Sequence, residues 1–146
     1  MTDTLQIRLA TLDDAEAVTS LLAELGYPQD VSSAEHSLQC ALVDPQQAVF
    51  VVELGGEVVG LVAVTRLFYF HLGQPIARLS SLVVNENQRS QQLGKQLLHA
   101  AEQWAREHGC VQLELTSSVK RERAHAFYQR AGYSGSALRF VRRLDE

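Results

Sequence analysis

The sequence is poor in the residues that build disulfide scaffolds and in the runs that cross membranes. Its two cysteines, Cys40 and Cys110, lie far apart in the chain. That is too few for a cystine framework, and no His/Cys/Asp/Glu spacing resembles a zinc site, so no metal is expected. Both cysteines read as reduced core thiols. No apolar run reaches the ~18 residues of a spanning helix, so no membrane association is expected. Met1 to Arg8 lacks a basic-then-apolar signal pattern, which points to the cytoplasm. A basic excess is also absent: 13 Lys and Arg face 17 Asp and Glu, a net charge of −4. This balance argues against nucleic acid as a partner but not against a local basic pocket. Low-complexity stretches, repeats and linkers are missing too.

What is present is an ordinary globular balance, 46% hydrophobic and 21% charged over 146 residues. Disorder is excluded as the general state. A chain of this size buries roughly 68–70% of its unfolded surface, enough for one core. A single domain spanning 1–146 is the expectation.

Periodicity supplies the elements. Ile7 and Leu9 alternate as in a half-buried strand. Thr11 caps a helix with Asp13 and Asp14 in its first turn and an apolar stripe of Ala17, Val18, Leu21, Leu22 and Leu25. Gly26 and Pro28 stop it. Ser32 with Glu35 reads as a capping box for a second helix that buries Leu38, Ala41 and Leu42 and ends before Pro45. Ala48–Leu54 and Val58–Leu67 are strands joined by a Gly55-Gly56 hairpin. Ile76–Val84 is another strand, and Ser90–His108 a helix burying Leu93, Leu97, Leu98, Ala101, Trp104 and Ala105. Val111 to Thr116 alternates as a strand. Arg121–Ala131 is a short helix stopped by Gly132, and Ser136–Leu144 a closing strand. The order β-α-α-β-β-β-α-β-α-β predicts an α/β fold with a mixed central sheet and helices on both faces. A right-handed crossover through Ser90–His108 makes the flanking strands parallel.

Chemistry concentrates where Leu82-Val83-Val84 runs through a polar loop into the long helix. Free N–H groups at such a helix start bind anions, and Gly94 permits close approach of a phosphate. A plain solvated strand–loop–helix connection reads equally from spacing alone.

Arg89-Ser90-Gln91-Gln92-Leu93-Gly94 resembles the acyl-CoA pyrophosphate loop of the GNAT superfamily of N-acetyltransferases, Arg/Gln-x-x-Gly-x-Gly/Ala. Downstream, Ala124-His125-Ala126-Phe127-Tyr128-Gln129-Arg130-Ala131-Gly132-Tyr133 is similar to a second signature of that family, Ala-x-x-Phe-Tyr-x-x-x-Gly-Phe/Tyr. The two lie in the right order with one strand between them, and the element order also fits the GNAT fold. Gln92 departs from the pattern, standing where the first glycine usually sits; a helix-start conformation would admit it. Within the family, Leu115–Arg121, Ala124–Tyr128 and Leu138-Arg139-Phe140 look like the aminoalkylphosphonate N-acetyltransferase branch. That branch tends to carry carboxylates where this chain has Arg78, Ser80 and Ser81.

The resemblance implies an acetyl-CoA-dependent N-acetyltransferase, with acetyl-CoA as acyl donor and a small-molecule primary amine as acceptor, by direct attack in a ternary complex. It implies that Tyr128 protonates the departing thiolate. It also implies that Leu82, Val83 and Val84 border a splay holding the pantetheine, Val83 and Val84 acting through their backbone. Arg89, Ser90, Gln91, Gln92, Leu93, Gly94 and Lys95 would form the phosphate loop, and Ser118 a further cofactor contact. Lys120, Arg121 and Arg123 are a basic cluster within reach of a terminal phosphate or simply a solvated face. Glu53, Glu114, His71 and His125 are open candidates for the general base, as is a water chain. Phe68, Tyr69, Phe70 and His71 border the acceptor side or cover a sheet edge. A homodimer through a sheet edge or the C-terminal strand follows from family habit. The alternatives are a non-catalytic acyl-CoA-binding module and an acetyltransferase of protein amines.

Overall fold

The computed structural model describes residues 4–116, 122–135 and 137–145, with the backbone alone for 89–91. By its internal contacts the chain falls into two compact units, Met1–Leu115 and Thr116–Glu146.

In the first unit, β1 (Leu5–Leu9), β2 (Gln47–Leu54), β3 (Glu57–Tyr69), β4 (Gln74–Val84) and β5 (Leu113–Leu115) form one sheet in chain order. The first four are antiparallel, and β5 lies parallel to β4, as the crossover predicts. Gly55 and Gly56 both adopt positive φ, 62° and 83°. A two-residue turn matching the strand twist needs this, and side chains resist it.

Helices α1 (Ala15–Leu25) and α2 (Val31–Val43) cover one face and α3 (Leu93–Glu107) the other. The period of two in the strands sorts the core. Val51, Leu61 and Val83 pack with Val18, Leu21, Ala34 and Leu38 of α1 and α2. Val52 and Gly60 face α3: a Cβ on Gly60 would stand 2.9 Å from Val52 Cγ1 and 3.0 Å from Leu97 Cδ1. A bare glycine there lets α3 seat against the sheet.

Several local expectations are corrected. Thr11 opens a 3-10 turn, Leu12–Asp14, before α1 begins. Asp30, not Ser32, caps α2, its carboxylate accepting the Ser33 N–H at 2.8 Å. Ser32 and Glu35 match the capping pattern but lie inside the helix, because Asp30 offers the earlier acceptor. Leu42 and Cys40 are exposed rather than core, both lying off the Ala34–Leu38–Ala41 stripe. The long helix starts at Leu93 rather than Ser90, after a 3-10 stretch, Glu86–Gln91. Val111 is exposed and outside β5.

In the second unit, α4 (Glu122–Arg130) ends at Gly132, whose φ is 97°. The Tyr133 N–H returns to the Tyr128 carbonyl at 3.0 Å. The strand expected over Ser136–Leu144 is not formed by residues 137–145. Leu138, Phe140, Val141 and Leu144 are all exposed. Alternation specifies a strand only where a neighbour supplies the ladder, and the described residues of this unit contain no strand to pair with. Among the described residues no helix is long and apolar enough to cross a membrane.

Candidate active site

The site is built where β4 outruns β5. The two strands share three rungs, Ala77–Leu113, Arg78–Glu114 and Leu79–Leu115. Beyond Leu79 the β3–β4 register slips: Ala63 faces Ser81 and Val64 faces Leu79, leaving Ser80 as a bulge. Ser81 to Val84 then continue along β3 with no β5 residue opposite.

The bond from the Asn85 N–H to the Val59 carbonyl, 2.7 Å, sets the phase of this stretch. Antiparallel ladders bond every second residue. Val83 therefore directs its peptide groups at β3, while Leu82 and Val84 direct theirs at the open side. The Val83 side chain is core. Of Leu82, Val83 and Val84, read from sequence as bordering the splay, Leu82 and Val84 turn their peptide groups to the open side and Val83 does not.

The chain then turns. The Asn85 side chain accepts the Asn87 N–H at 2.9 Å, and the Glu86 N–H donates to Glu24 Oε1 of α1 at 2.8 Å. Gln92 follows at φ 60°, ψ 24°, the only non-glycine with positive φ among the described residues. This corrects the expectation of a helix-start conformation: Gln92 takes the left-handed geometry that a glycine would adopt without strain. The turn delivers α3 with a buried Leu93, a half-buried Gly94 and an exposed Lys95. Its N-cap residue, Gln92, makes no side-chain cap, and its first turn holds no acid. A fifteen-residue helix so presented offers unpaired N–H groups and a positive dipole end. These features fit a pyrophosphate, and the open N–H groups of Leu82 and Val84 fit an amide-bearing chain laid along β4.

Ser118, Lys120 and Arg121 lie outside the described residues. In the second unit Tyr128 is half-buried on α4, edge-on to Phe127 at 5.3 Å and to Tyr133 at 6.1 Å. His125 is half-buried on the same helix and Arg123 exposed.

The base candidates separate. Glu53 accepts from Arg8 at 3.1 Å within a β1–β2 network. Glu114 lies one rung from the end of the β4–β5 pairing. Its Oε1 accepts from Arg78 at 2.7 Å and from the Tyr69 hydroxyl. The carboxylate's hold on that proton, together with burial, raises the Tyr69 phenol above its ordinary range. The His71 ring lies tilted against Tyr69, at 34° with centroids 5.1 Å apart. Phe68 and Phe70 point to solvent. The three-strand cluster of Tyr69, Arg78 and Glu114 was not legible as a unit. Its one sequence signal is the parallel register that sets Arg78 beside Glu114.

Residues 15–133 match the acetyltransferase (GNAT) family. The chain is 35% identical over 140 residues to the aminoalkylphosphonate N-acetyltransferase of Salmonella typhimurium, covering 95% of this chain and 91% of that one. It is 32% identical over 132 residues to an aminoglycoside N(6')-acetyltransferase of Stenotrophomonas maltophilia, covering 87% and 84%. An aminoglycoside N-acetyltransferase solved in complex with CoA superposes with a TM-score of 0.88 at 18% identity, covering 99% and 97% of the two chains. With two N-acetyltransferase relatives above 30% identity, acetyl transfer to amines is the supported chemistry. The chain is an acyltransferase and belongs to the acetyltransferase (GNAT) family.

Proposed function

We propose that the protein transfers the acetyl group of acetyl-CoA to the primary amine of a small molecule, by direct attack in a ternary complex within one domain, 1–146. The observation that carries this reading is the β4–α3 junction. A strand edge with no β5 residue opposite leads, through a left-handed residue that makes no side-chain cap, into a fifteen-residue helix.

Each residue has a defined task in this reading. The N–H groups of Gln92, Leu93, Gly94 and Lys95 hold the pyrophosphate, aided by the backbone of Arg89, Ser90 and Gln91. The open N–H groups of Leu82 and Val84 align the thioester and polarise its carbonyl. Ser118 adds a cofactor contact. The acceptor nitrogen forms the new C–N bond as the C–S bond breaks, and its proton passes to a base or to solvent. Tyr128 gives its hydroxyl proton to the leaving thiolate. Direct attack is favoured because neither cysteine lies in the two signature segments. Cys40 is exposed on α2, and burial pushes the Cys110 thiol up, so that it stays protonated.

The named acceptors of the two curated relatives support a small molecule rather than a protein amine. The reading includes a cytoplasmic location, where acetyl-CoA is made available, and a homodimer. The exposed apolar residues Leu138, Phe140, Val141 and Leu144 support the dimer. Light scattering after size exclusion tests it, with a monomer mass refuting it.

The test of the activity is thiol release from acetyl-CoA across a panel of small amines. Turnover by the wild type, falling about a hundred-fold or more in Tyr128→Phe with the fold intact, is expected. Full turnover in that variant removes Tyr128 as the acid. No turnover with any amine removes the activity itself.

A further inference from the structure

Glu24 is a carboxylate at a place where a helix resists one. It stands in the last turn of α1, a turn with no basic residue. The open carbonyls of a helix end carry partial negative charge, so an acid there works against the helix. What the side chain does instead is reach another element. Its Oε1 accepts the backbone N–H of Glu86 at 2.8 Å, sixty-two residues further along the chain.

Glu86 opens the turn between β4 and α3. The Asn85 N–H donates to the Val59 carbonyl at 2.7 Å and fixes the end of β4 on β3. The Asn87 N–H donates to Asn85 Oδ1, and the Gln88 N–H to the Asn85 carbonyl, each at 2.9 Å. Those two bonds hold the turn within itself. The Glu86 bond adds the tie to α1. Only the 3-10 stretch Glu86–Gln91 separates that tie from the left-handed Gln92, where α3 begins. So short a link leaves little slack. The place of Glu86 therefore sets where Gln92 and the first N–H groups of α3 stand.

We propose that Glu24 is a positioning residue of the cofactor site: its carboxylate holds the β4–α3 turn so that the N–H groups at the start of α3 converge on the pyrophosphate of acyl-CoA. This rests on the transferase reading for the identity of the ligand. Glu24 acts through the Glu86 backbone and not on the reacting atoms. The bond lies at the surface and competes with water, so it adds little to the stability of the whole fold. Its effect falls on local geometry, which a binding site needs to within about 0.5 Å. The bond requires an acceptor oxygen, which a glutamine also offers at the same reach.

The test compares the wild type, Glu24→Ala and Glu24→Gln. Calorimetry gives the affinity for CoA. Thiol release gives KM and kcat with acetyl-CoA and with acetyl-pantetheine, which has no pyrophosphate. Glu24→Ala should bind CoA about two- to ten-fold more weakly, the worth of one hydrogen bond. Its KM for acetyl-CoA should rise by a similar factor while kcat holds. Glu24→Gln should recover most of the affinity. The use of acetyl-pantetheine should be the same in all three proteins. Alanine is the better helix former and removes the charge from the helix end, so ligand-free Glu24→Ala should melt no lower than the wild type. A merely structural Glu24 predicts a lower melting temperature instead. Equal CoA affinity in the wild type and Glu24→Ala overturns the inference and leaves the transferase reading standing. An equal loss with acetyl-pantetheine also overturns it, because the defect then lies outside the phosphate site. A wild type that binds no CoA removes both.

Discussion

Arg8 and Arg78 each reach across strands to a carboxylate, yet only one of them grips a buried one. Arg8 gives NH1 to Asp14 Oδ2 at 2.8 Å and to the Leu9 carbonyl at 3.1 Å. It gives NH2 to Asp14 Oδ1 at 2.9 Å and to Glu53 at 3.1 Å. Asp14 is buried and also accepts the Thr11 N–H at 2.8 Å. That network ties β1, β2 and the entrance to α1 into one knot and leaves no terminal nitrogen for a ligand. Arg78 bonds to a half-exposed Glu114 at 2.7 Å and also hydrogen-bonds the Tyr69 side chain. A satisfied buried pair is costly to break, whereas a half-exposed one is worth little to the fold. The difference assigns the first network to stability and gives the second little weight in the fold.

The largest effect on stability should come from Asp14→Asn. It strips one of the two carboxylate charges that Arg8 faces and should lower unfolding free energy by about 2–3 kcal/mol in urea titrations. A loss below about 0.5 kcal/mol would erase the contrast.

Acidity sharpens the same comparison. Arg8, by hydrogen bonding, holds the folded-state Asp14 carboxyl below its ordinary value of 3.8. A depressed carboxylate contributes its stability above the unfolded value and loses it as pH falls through the folded one. The stability gap between wild type and Asp14→Asn should therefore be full near neutrality and close below about pH 4. A gap unchanged at low pH would mean that the ion pair is not its source.

Gln92→Gly should act in the opposite direction. Removing a side chain from the left-handed region relieves roughly 1–2 kcal/mol, partly offset by glycine's greater chain entropy, for a net gain of up to about 1 kcal/mol. Acetyl-CoA should bind more tightly to this variant in calorimetry. Weaker binding would show that the Gln92 side chain contacts the cofactor.

The smallest stability effect belongs to Glu114→Gln, under about 1 kcal/mol. The amide keeps an acceptor oxygen for Arg78 and Tyr69 while removing the charge. A loss comparable to that of Asp14→Asn would recast the Arg78 network as structural.

Most of the architecture was legible because burial imposes a period. The Leu93–Leu97–Leu98–Ala101–Trp104–Ala105 stripe and the Gly55-Gly56 turn could be read from spacing alone. So could the parallel β4–β5 pair, through the handedness of its crossover. Three things resisted. The cap of α2 fell to Asp30 because a pattern such as Ser32–Glu35 does not rank competing acceptors. The C-terminal strand failed because Leu138 and Phe140 alternate without a described neighbour to complete a ladder. The phase of β4 was invisible because it hangs on one bond, Asn85 to Val59, that no side chain announces. At the site, the segment from Leu82 to Lys95 was read through resemblance. The Arg78–Glu114–Tyr69 cluster joins residues from three strands and required the register.

The most direct test of the account is thermal unfolding of the wild type and of Gly94→Asp, each with and without saturating acetyl-CoA. Gly94 lies in the first turn of α3, where an aspartate suits the helix but repels a pyrophosphate. At about one hundred times the dissociation constant, bound acetyl-CoA should add about 2.7 kcal/mol, a shift of several degrees, to the wild type and almost nothing to the variant. No shift in the wild type, or an equal shift in both, would contradict an acyl-CoA site at the β4–α3 junction.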